Sequence, residues 1–152
     1  MAIAYLADCP EHLPVVATWI YDTWGHLIPG LTWDLMAAKL QQRLNRDAIP
    51  LTLVALRAGV PVGTASLIPD DMSTRLELGP WLASVYVAPE HRRQGIGSQL
   101  VGAAEGIARR LGVSPLYLFT PDRERFYARL GWSALETTEY RREQVVIMSK
   151  VL

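Results

Sequence analysis

Apolar positions recur along this chain with two different periods, and each period predicts its own kind of element. "IAYLAD" reads as a short opening strand. "PEHLPVVATWIYDTWG" follows as a helix that ends at Gly25, although Pro14 blurs where it starts. Across "GLTWDLMAAKLQQRLNR", Met36, Leu40 and Leu44 share one face behind Thr32, a good N-cap, and the whole stretch is predicted as an amphipathic helix. "PLTLVAL" and "VPVGTASLI" are predicted strands joined across "RAG", with Gly59 in the turn. "PDDMSTRLELG" is polar and loop-like. "PWLASVYVA" is apolar on both faces, as a strand buried in mid-sheet must be.

The second half continues the alternation of strands and helices. From Gly97 to Leu111, the residues Leu100, Ala103, Ala104, Ile107 and Leu111 make one helical stripe, which Gly112 closes. "PLYLFT" is another buried strand. "TPDRERFYARLG" predicts a last helix with Thr120 as cap, Pro121 at its first position and Asp122 in its first turn. "WSALET" and "QVVIMSKVL" are closing strands around the turn "EYRRE". No repeat, low-complexity tract or linker interrupts this order. It predicts an α/β fold on a mixed sheet, one domain over residues 1–152.

Composition narrows the partners. Half of the 152 residues are hydrophobic and a fifth are charged, and the formal net charge is zero. Nothing global therefore recommends nucleic acid or an anionic membrane surface. The charge is divided: residues 1–91 carry nine acids and five bases, and residues 92–152 carry six acids and ten bases. Cys9 is the only cysteine, so no internal disulfide or cysteine-rich metal site is expected. His12, His26 and His91 have no metal-ligand spacing, and no metal is expected. "LPVVATWIY" is too short to span a bilayer, and "MAIAYLADCP" lacks the basic start of a signal peptide. The expected setting is soluble, reducing and cytoplasmic.

Chemistry concentrates in "YVAPEHRRQGIGSQLV". Arg92 and Arg93 stand at the start of a helix, the positive end of its dipole, where cations are disfavoured unless an anion joins them. A strand, a loop with Gly95 and Gly97, and then a helix suit a phosphate. Glycine lets the backbone approach closely, and the free N–H groups of the first turn point outward. Ser98 adds a hydroxyl. "GKS" and "GKT" are absent, which excludes a P-loop, and "QGIGSQL" lacks the third glycine of a dinucleotide fingerprint. The plain alternative is a glycine turn flanked by solvated arginines.

"RRQGIG" resembles the [Q/R]-x-x-G-x-[G/A] signature of the GNAT N-acetyltransferase superfamily, and the flanks "PWLASVYVAP", "RAGVPVG" and "FYARLGW" fall where that family places similar segments. The resemblance covers essentially the whole chain. It implies a GNAT fold: a mixed sheet of about six to seven strands flanked by about four helices. It also implies acetyl-coenzyme A as co-substrate, with Arg92, Arg93, Gln94, Gly95, Ile96, Gly97 and Ser98 holding the pyrophosphate. The backbones of Val85 and Val87 would pair with the pantetheine arm, on a strand splayed open at one end.

By the same resemblance Tyr127 is the general acid that returns a proton to the departing thiolate, while Phe126 packs the helix on the sheet. A phenol near ~10 gives its proton to a thiolate near ~8.5 only somewhat uphill. The glutamate that several relatives carry as base is missing: "GPWLAS" holds no ionisable group. Glu77 working through a water is the candidate base, with Asp70 and Asp71 also upstream. Alternatively no strong base is needed. At pH 7 an amine of pKa ~10.4 is about 0.04% neutral, whereas an α-amine near ~7.8 is about 14% neutral. Weak base provision leans towards the α-amine.

The N-terminal third is rich in aromatics. Trp19 reads as core, whereas Trp24, Trp33 and Trp81, with Asp71, are candidate acceptor-pocket residues for a cationic amine. The expected reaction moves acetyl to a primary amine by direct attack in a ternary complex. The acceptor is a small-molecule, aminoglycoside-like amine or a peptide N-terminus. Assembly as a homodimer is left open. The rival reading is a non-catalytic acyl-coenzyme A sensor, against which an intact Tyr127 argues.

Overall fold

The computed structural model describes residues 1–152. Strand β1 (Ala2–Tyr5) leads through short turns to helices α1 (Leu13–Trp24) and α2 (Trp33–Gln41). Strands β2 (Leu51–Arg57), β3 (Val60–Ile68) and β4 (Trp81–Val87) follow, then helix α3 (Ile96–Arg110). Strand β5 (Leu116–Thr120), helix α4 (Glu124–Arg129) and the hairpin β6 (Ser133–Tyr140) and β7 (Glu143–Lys150) complete the chain. All seven strands join one mixed sheet in the order β1-β2-β3-β4-β5-β7-β6, with β4 and β5 the parallel neighbours. Seven strands and four α-helices match the architecture expected from the sequence.

Each face of the sheet has its own core. One face carries α3 and α4: Leu53, Leu67, Leu82, Leu116 and Leu118 meet Ile96, Leu100, Ala104 and Tyr127 there. On the other face α1 and α2 cover β1 and β2 through Leu6, Val16, Ile20, Met36, Leu40 and Val54. Beside them Ile68, Met72, Trp81, Ala83, Tyr140 and Ile147 form a third cluster that no helix covers. The loop after β3 closes over it instead. Ser73 on this loop donates its N–H to the Tyr140 hydroxyl at 3.2 Å, which ties the loop to the β6–β7 hairpin.

Two helix boundaries differ from the sequence reading. Helix α2 has the expected N-cap, with the Thr32 hydroxyl accepting from the Leu35 N–H at 3.1 Å, but it stops at Gln41 rather than running through Leu44. The Asn45 amide explains the early end. It donates to the carbonyls of Gln42 and Pro50, satisfying a helix-end acceptor and drawing the chain towards β2. Helix α4 begins at Glu124, later than Thr120 predicts. The Thr120 hydroxyl does accept N–H groups, from Asp122 and Arg123, but Thr120 itself remains in β5, paired with Val146. Its cap geometry makes a turn, and the helix starts after it.

One buried carboxylate binds the far ends of these elements. Glu105 on α3, only 5% exposed, accepts from Lys150 of β7 at 2.6 Å and from the Trp132 indole at 3.2 Å. Lys150 also donates to the Leu130 carbonyl at the end of α4. Truncating Glu105 strands a partly buried ammonium and an indole N–H. Glu105→Ala should therefore lower unfolding stability by about 3 kcal/mol, discounted slightly because Lys150 keeps some solvent. Urea unfolding of the two proteins measures this.

Candidate active site

Strands β4 and β5 share a single register pair, Trp81 with Tyr117, where the Tyr117 N–H donates to the Pro80 carbonyl at 3.1 Å. Beyond that pair they part. The cause lies in β4, where the stretch Ala83 to Tyr86 stands opposite the shorter stretch Ser66 to Thr64 of β3. The extra residue makes a bulge, and Ser84 within it has a φ of 55°. A bulge bends its strand and interrupts the ladder. It also exchanges the two faces. Leu82 lies in the core beneath α3, with Trp81 and Ala83 on the opposite side. Past the bulge Val85 and Val87 pack on the α3 side, and Tyr86 turns to meet Trp19 of α1 at 5.3 Å.

The opened strand presents unused backbone. Ala88 gives its N–H to Val62 of β3 at 2.9 Å, so the alternation along β4 aims the groups of Val87 and Val85 into the opening. The Val87 carbonyl accepts from Arg92 Nε at 2.8 Å, and the Arg92 guanidinium lies over the Tyr86 ring. The arginine thus folds back on the strand end.

The turn into α3 is shaped by left-handed residues. Arg93 has a φ of 63° and Gly95, the N-cap, a φ of 80°. The Gly95 carbonyl accepts from the Gln99 N–H, but the N–H groups of Arg93 to Ser98 find no backbone acceptor in the chain. That is a row of donors at the positive end of a helix of 15 residues. The surrounding side chains fix it. Ile96 is buried in the core, and the Gln94 amide oxygen accepts from Arg57 at the end of β2. Gly97 faces Phe126 of α4, where an added Cβ would make only ordinary contact, at 3.5 Å. Gly95 has open space above it, so its backbone angle, not crowding, asks for glycine.

Helix α4 follows β5 as α3 follows β4, so both start at the carboxyl ends of the diverging parallel strands, where open α/β sheets bind ligands. Phe126 touches Gly97 and meets the Tyr127 ring at 5.0 Å, while Trp132 meets Tyr127 from another side. Tyr127 is 8% exposed. Burial pushes its phenol up to about 12, with the Arg123 charge opposing and the Asp122 charge assisting.

The residues expected around an acceptor are scattered unequally. Trp81 is fully buried, with its indole N–H on the Leu78 carbonyl and its ring against Tyr117 and Phe119, so it has no surface to offer a ligand. Trp33 joins the helices by donating to the Thr18 hydroxyl at 3.0 Å, and Trp24 packs half-buried on the same core. Glu77 is exposed on the loop, near Arg75, which itself pairs with Glu136. Asp71 is different. It is half-buried behind the end of β3, and burial pushes its carboxyl up to about 6 against the opposing charges of Arg43, Arg141 and Lys39.

Three residues at this site escaped the sequence reading. Arg43 drew no role from its place in "GLTWDLMAAKLQQRLNR", yet it donates to Ser66 at 3.2 Å. Arg141 drew no role from its place in the hairpin turn "EYRRE", yet its charge reaches Asp71. Tyr86 looked like one more apolar strand residue, because strict alternation along "WLASVYV" hides the bulge that turns it.

Comparison with known proteins agrees with this geometry. The model of the Acetyltransferase (GNAT) family matches residues 14–132. No curated protein matches the sequence closely enough to count as a relative. Among solved structures, the ribosomal-protein-alanine N-acetyltransferase from Brucella melitensis superposes with a TM-score of 0.77 at 24% identity, over 100% of both chains. The aminoglycoside 6'-N-acetyltransferase from Enterococcus faecium gives 0.76 at 18% identity, covering 99% of this chain and 97% of its own. An aminoglycoside 6'-N-acetyltransferase complexed with coenzyme A gives the same score, identity and coverage. With more than half of its length matched by the family model, on a fold these structures share, the chain belongs to the GNAT acetyltransferase family.

Proposed function

We propose that this protein transfers the acetyl group of acetyl-coenzyme A to a primary amine by direct attack. The row of unused N–H groups from Arg93 to Ser98, beside a strand that β5 leaves unpaired at Val85 and Val87, with Arg92 on the Val87 carbonyl, carries this reading. The N–H row suits the two phosphates, with Arg92 and Arg93 as charged partners. The open edge of β4 suits an extended amide-containing arm that pairs like a strand. Such an arm leads away from the loop along β4, towards the bulge. In the transfer the neutral amine's nitrogen bonds to the thioester carbon, the carbon–sulfur bond breaks, and Tyr127 gives its proton to the sulfur; the nitrogen sheds one proton to solvent, and solvent returns one to Tyr127. A phenol held near 12 stays protonated throughout the neutral range. The same burial that raises it also disfavours a free thiolate, so the proton transfer is less uphill than the phenol alone suggests.

The acceptor is a primary amine, either a small molecule or a peptide N-terminus. Both kinds of acceptor appear in the names of the structurally similar proteins. The sensor reading is weaker because Tyr127, suited to protonate the departing thiolate, is intact.

Calorimetric titration with acetyl-coenzyme A is expected to show micromolar binding, with NAD and ATP silent; equal binding of all three would point to a nonspecific anion site. Tyr127→Phe is expected to lower kcat by about 100-fold or more while the acetyl-coenzyme A Kd moves less than about threefold. Matching losses in both would make the tyrosine structural. The two glycines should separate as well. Gly95→Ala is expected to cost about 1–2 kcal/mol of stability from its left-handed angle, whereas Gly97→Ala in the helix should stay within about 1 kcal/mol of the parent.

A further inference from the structure

The β2–β3 hairpin touches the turn into α3 at three points. Where the turn leaves β4, the Val62 carbonyl accepts from the Ala88 N–H at 2.9 Å. Gly63 lies close beneath α3, and a Cβ added there would meet Leu100 at 3.0 Å and Ile96 at 3.4 Å. The third contact is polar: Arg57 donates to the Gln94 amide oxygen across 37 residues of sequence. The hairpin is built to aim that arginine. Its two-residue turn, with Ala58 at a φ of 52° and Gly59 at 78°, fixes Arg57 opposite Val60. Just behind, Val62 is the extra residue between the pairs of Pro61 and Gly63, a bulge that bends this end of the ladder.

Gln94 needs such an anchor. It stands between Arg93 and Gly95, both left-handed, an angle that a residue with a Cβ resists. Its own N–H finds no backbone acceptor, and α3 begins only at Ile96, so its side chain is what ties it down. Charge adds a second observation. The ion pairs of the chain leave out Arg57, Arg92 and Arg93. Arg57 donates to a neutral amide and Arg92 to a carbonyl, so neither charge is answered. Three guanidinium groups gathered at one helix start repel one another until an anion joins them.

We infer that Arg57 is a positioning residue for the coenzyme: through Gln94 it holds the phosphate loop in its binding shape, and its unanswered charge adds to the pull on the phosphates. This inference rests on the acetyl-coenzyme A reading, and it assigns to that site a residue from a strand that β3 separates from β4. A loop already in shape when the ligand arrives loses less affinity to ordering. The guanidinium suits both tasks, because one N–H reaches the amide while the charge stays free for the phosphates.

Calorimetric titration of the intact protein with acetyl-coenzyme A, at about 50 mM salt where charges are little screened, tests this. Arg57→Ala should raise Kd about tenfold and Gln94→Ala about fivefold. The double variant should bind no worse than Arg57→Ala, because the second change removes a contact already lost. Arg57 makes a single bond to Gln94 rather than a paired fork, so Arg57→Lys, which keeps the charge and a donor, should stay within about threefold of the parent. No variant should shift Tm by more than about 2 °C, since the contact is exposed. A Kd for Arg57→Ala within about twofold of the parent overturns the inference. Losses that multiply in the double variant, or an Arg57→Lys protein as weak as Arg57→Ala, overturn it equally. Weaker binding that comes with a lower Tm makes Arg57 a structural residue and also overturns it. In all these cases the parent still binds acetyl-coenzyme A, and the coenzyme reading stands. Absence of binding by the folded parent overturns that reading and this inference together.

Discussion

The bulge at Ser84 is the constraint on which the rest of the site depends. A parallel pair would normally continue its ladder, and β4 and β5 have the length to do so. One extra residue in β4 stops it after Trp81 and Tyr117. Everything on the binding side follows from that failure to pair. The backbone of Val85 and Val87 becomes available, the starts of α3 and α4 stand apart at the strand ends, and Phe126 fills the space between them against Gly97. The fold tolerates a broken ladder in its middle because apolar clusters bridge it on both faces, Leu82 packing with Leu116 and Leu118 on one and Trp81 with Ile147 on the other. Glu105, Trp132 and Lys150 hold one side together, and the tie between Ser73 and Tyr140 holds the other.

The sheet then divides labour between its faces. The face carrying α3 and α4 gathers the N–H row, the glycines and Tyr127. The opposite face carries the unpaired Asp71 with Arg43, Lys39 and Arg141, and the Trp19–Tyr86 contact. On the proposed reading the co-substrate docks where the strands part, and the acceptor's amine must reach it there. The charge split along the sequence has a counterpart in this arrangement only for the first of the two, since Arg92 and Arg93 belong to the basic half. The acidic half supplies Asp71 but also Lys39 and Arg43, and Arg141 comes from the basic half.

What the sequence revealed, and what it hid, follows the range of the interactions. The loop "RRQGIG" and the stripe of α3 are local, set by glycine angles and helical spacing, and both could be read directly. The mixed sheet followed from element order, and the family resemblance put its strands at about six to seven, where the structure has seven. The ends of α2 and α4 were misjudged because side chains of Asn45 and Thr120 bond to backbone in turns that compete with the helix. Trp81 was placed at the acceptor because it opens β4, but the side of the strand it occupies is sealed by Tyr117 and Phe119. The bond from Arg43 to Ser66 could not be read at all, because 23 residues separate the two and only the folded sheet joins them.

On the proposed reading, the Arg92–Val87 bond gives the free protein an internal stand-in for the arm of the co-substrate. A side chain already occupies a backbone acceptor that an incoming arm would use, so the opening is never left bare to neighbouring strands seeking an edge. The same bond sets an exchange: an arm that takes over the Val87 carbonyl frees a guanidinium beside the phosphate loop. Docking of the arm and charging of the loop are then one event rather than two. Departure of the product reverses it, with the arginine competing for its old place. On that reading the residue that attracts the ligand also helps to dislodge it.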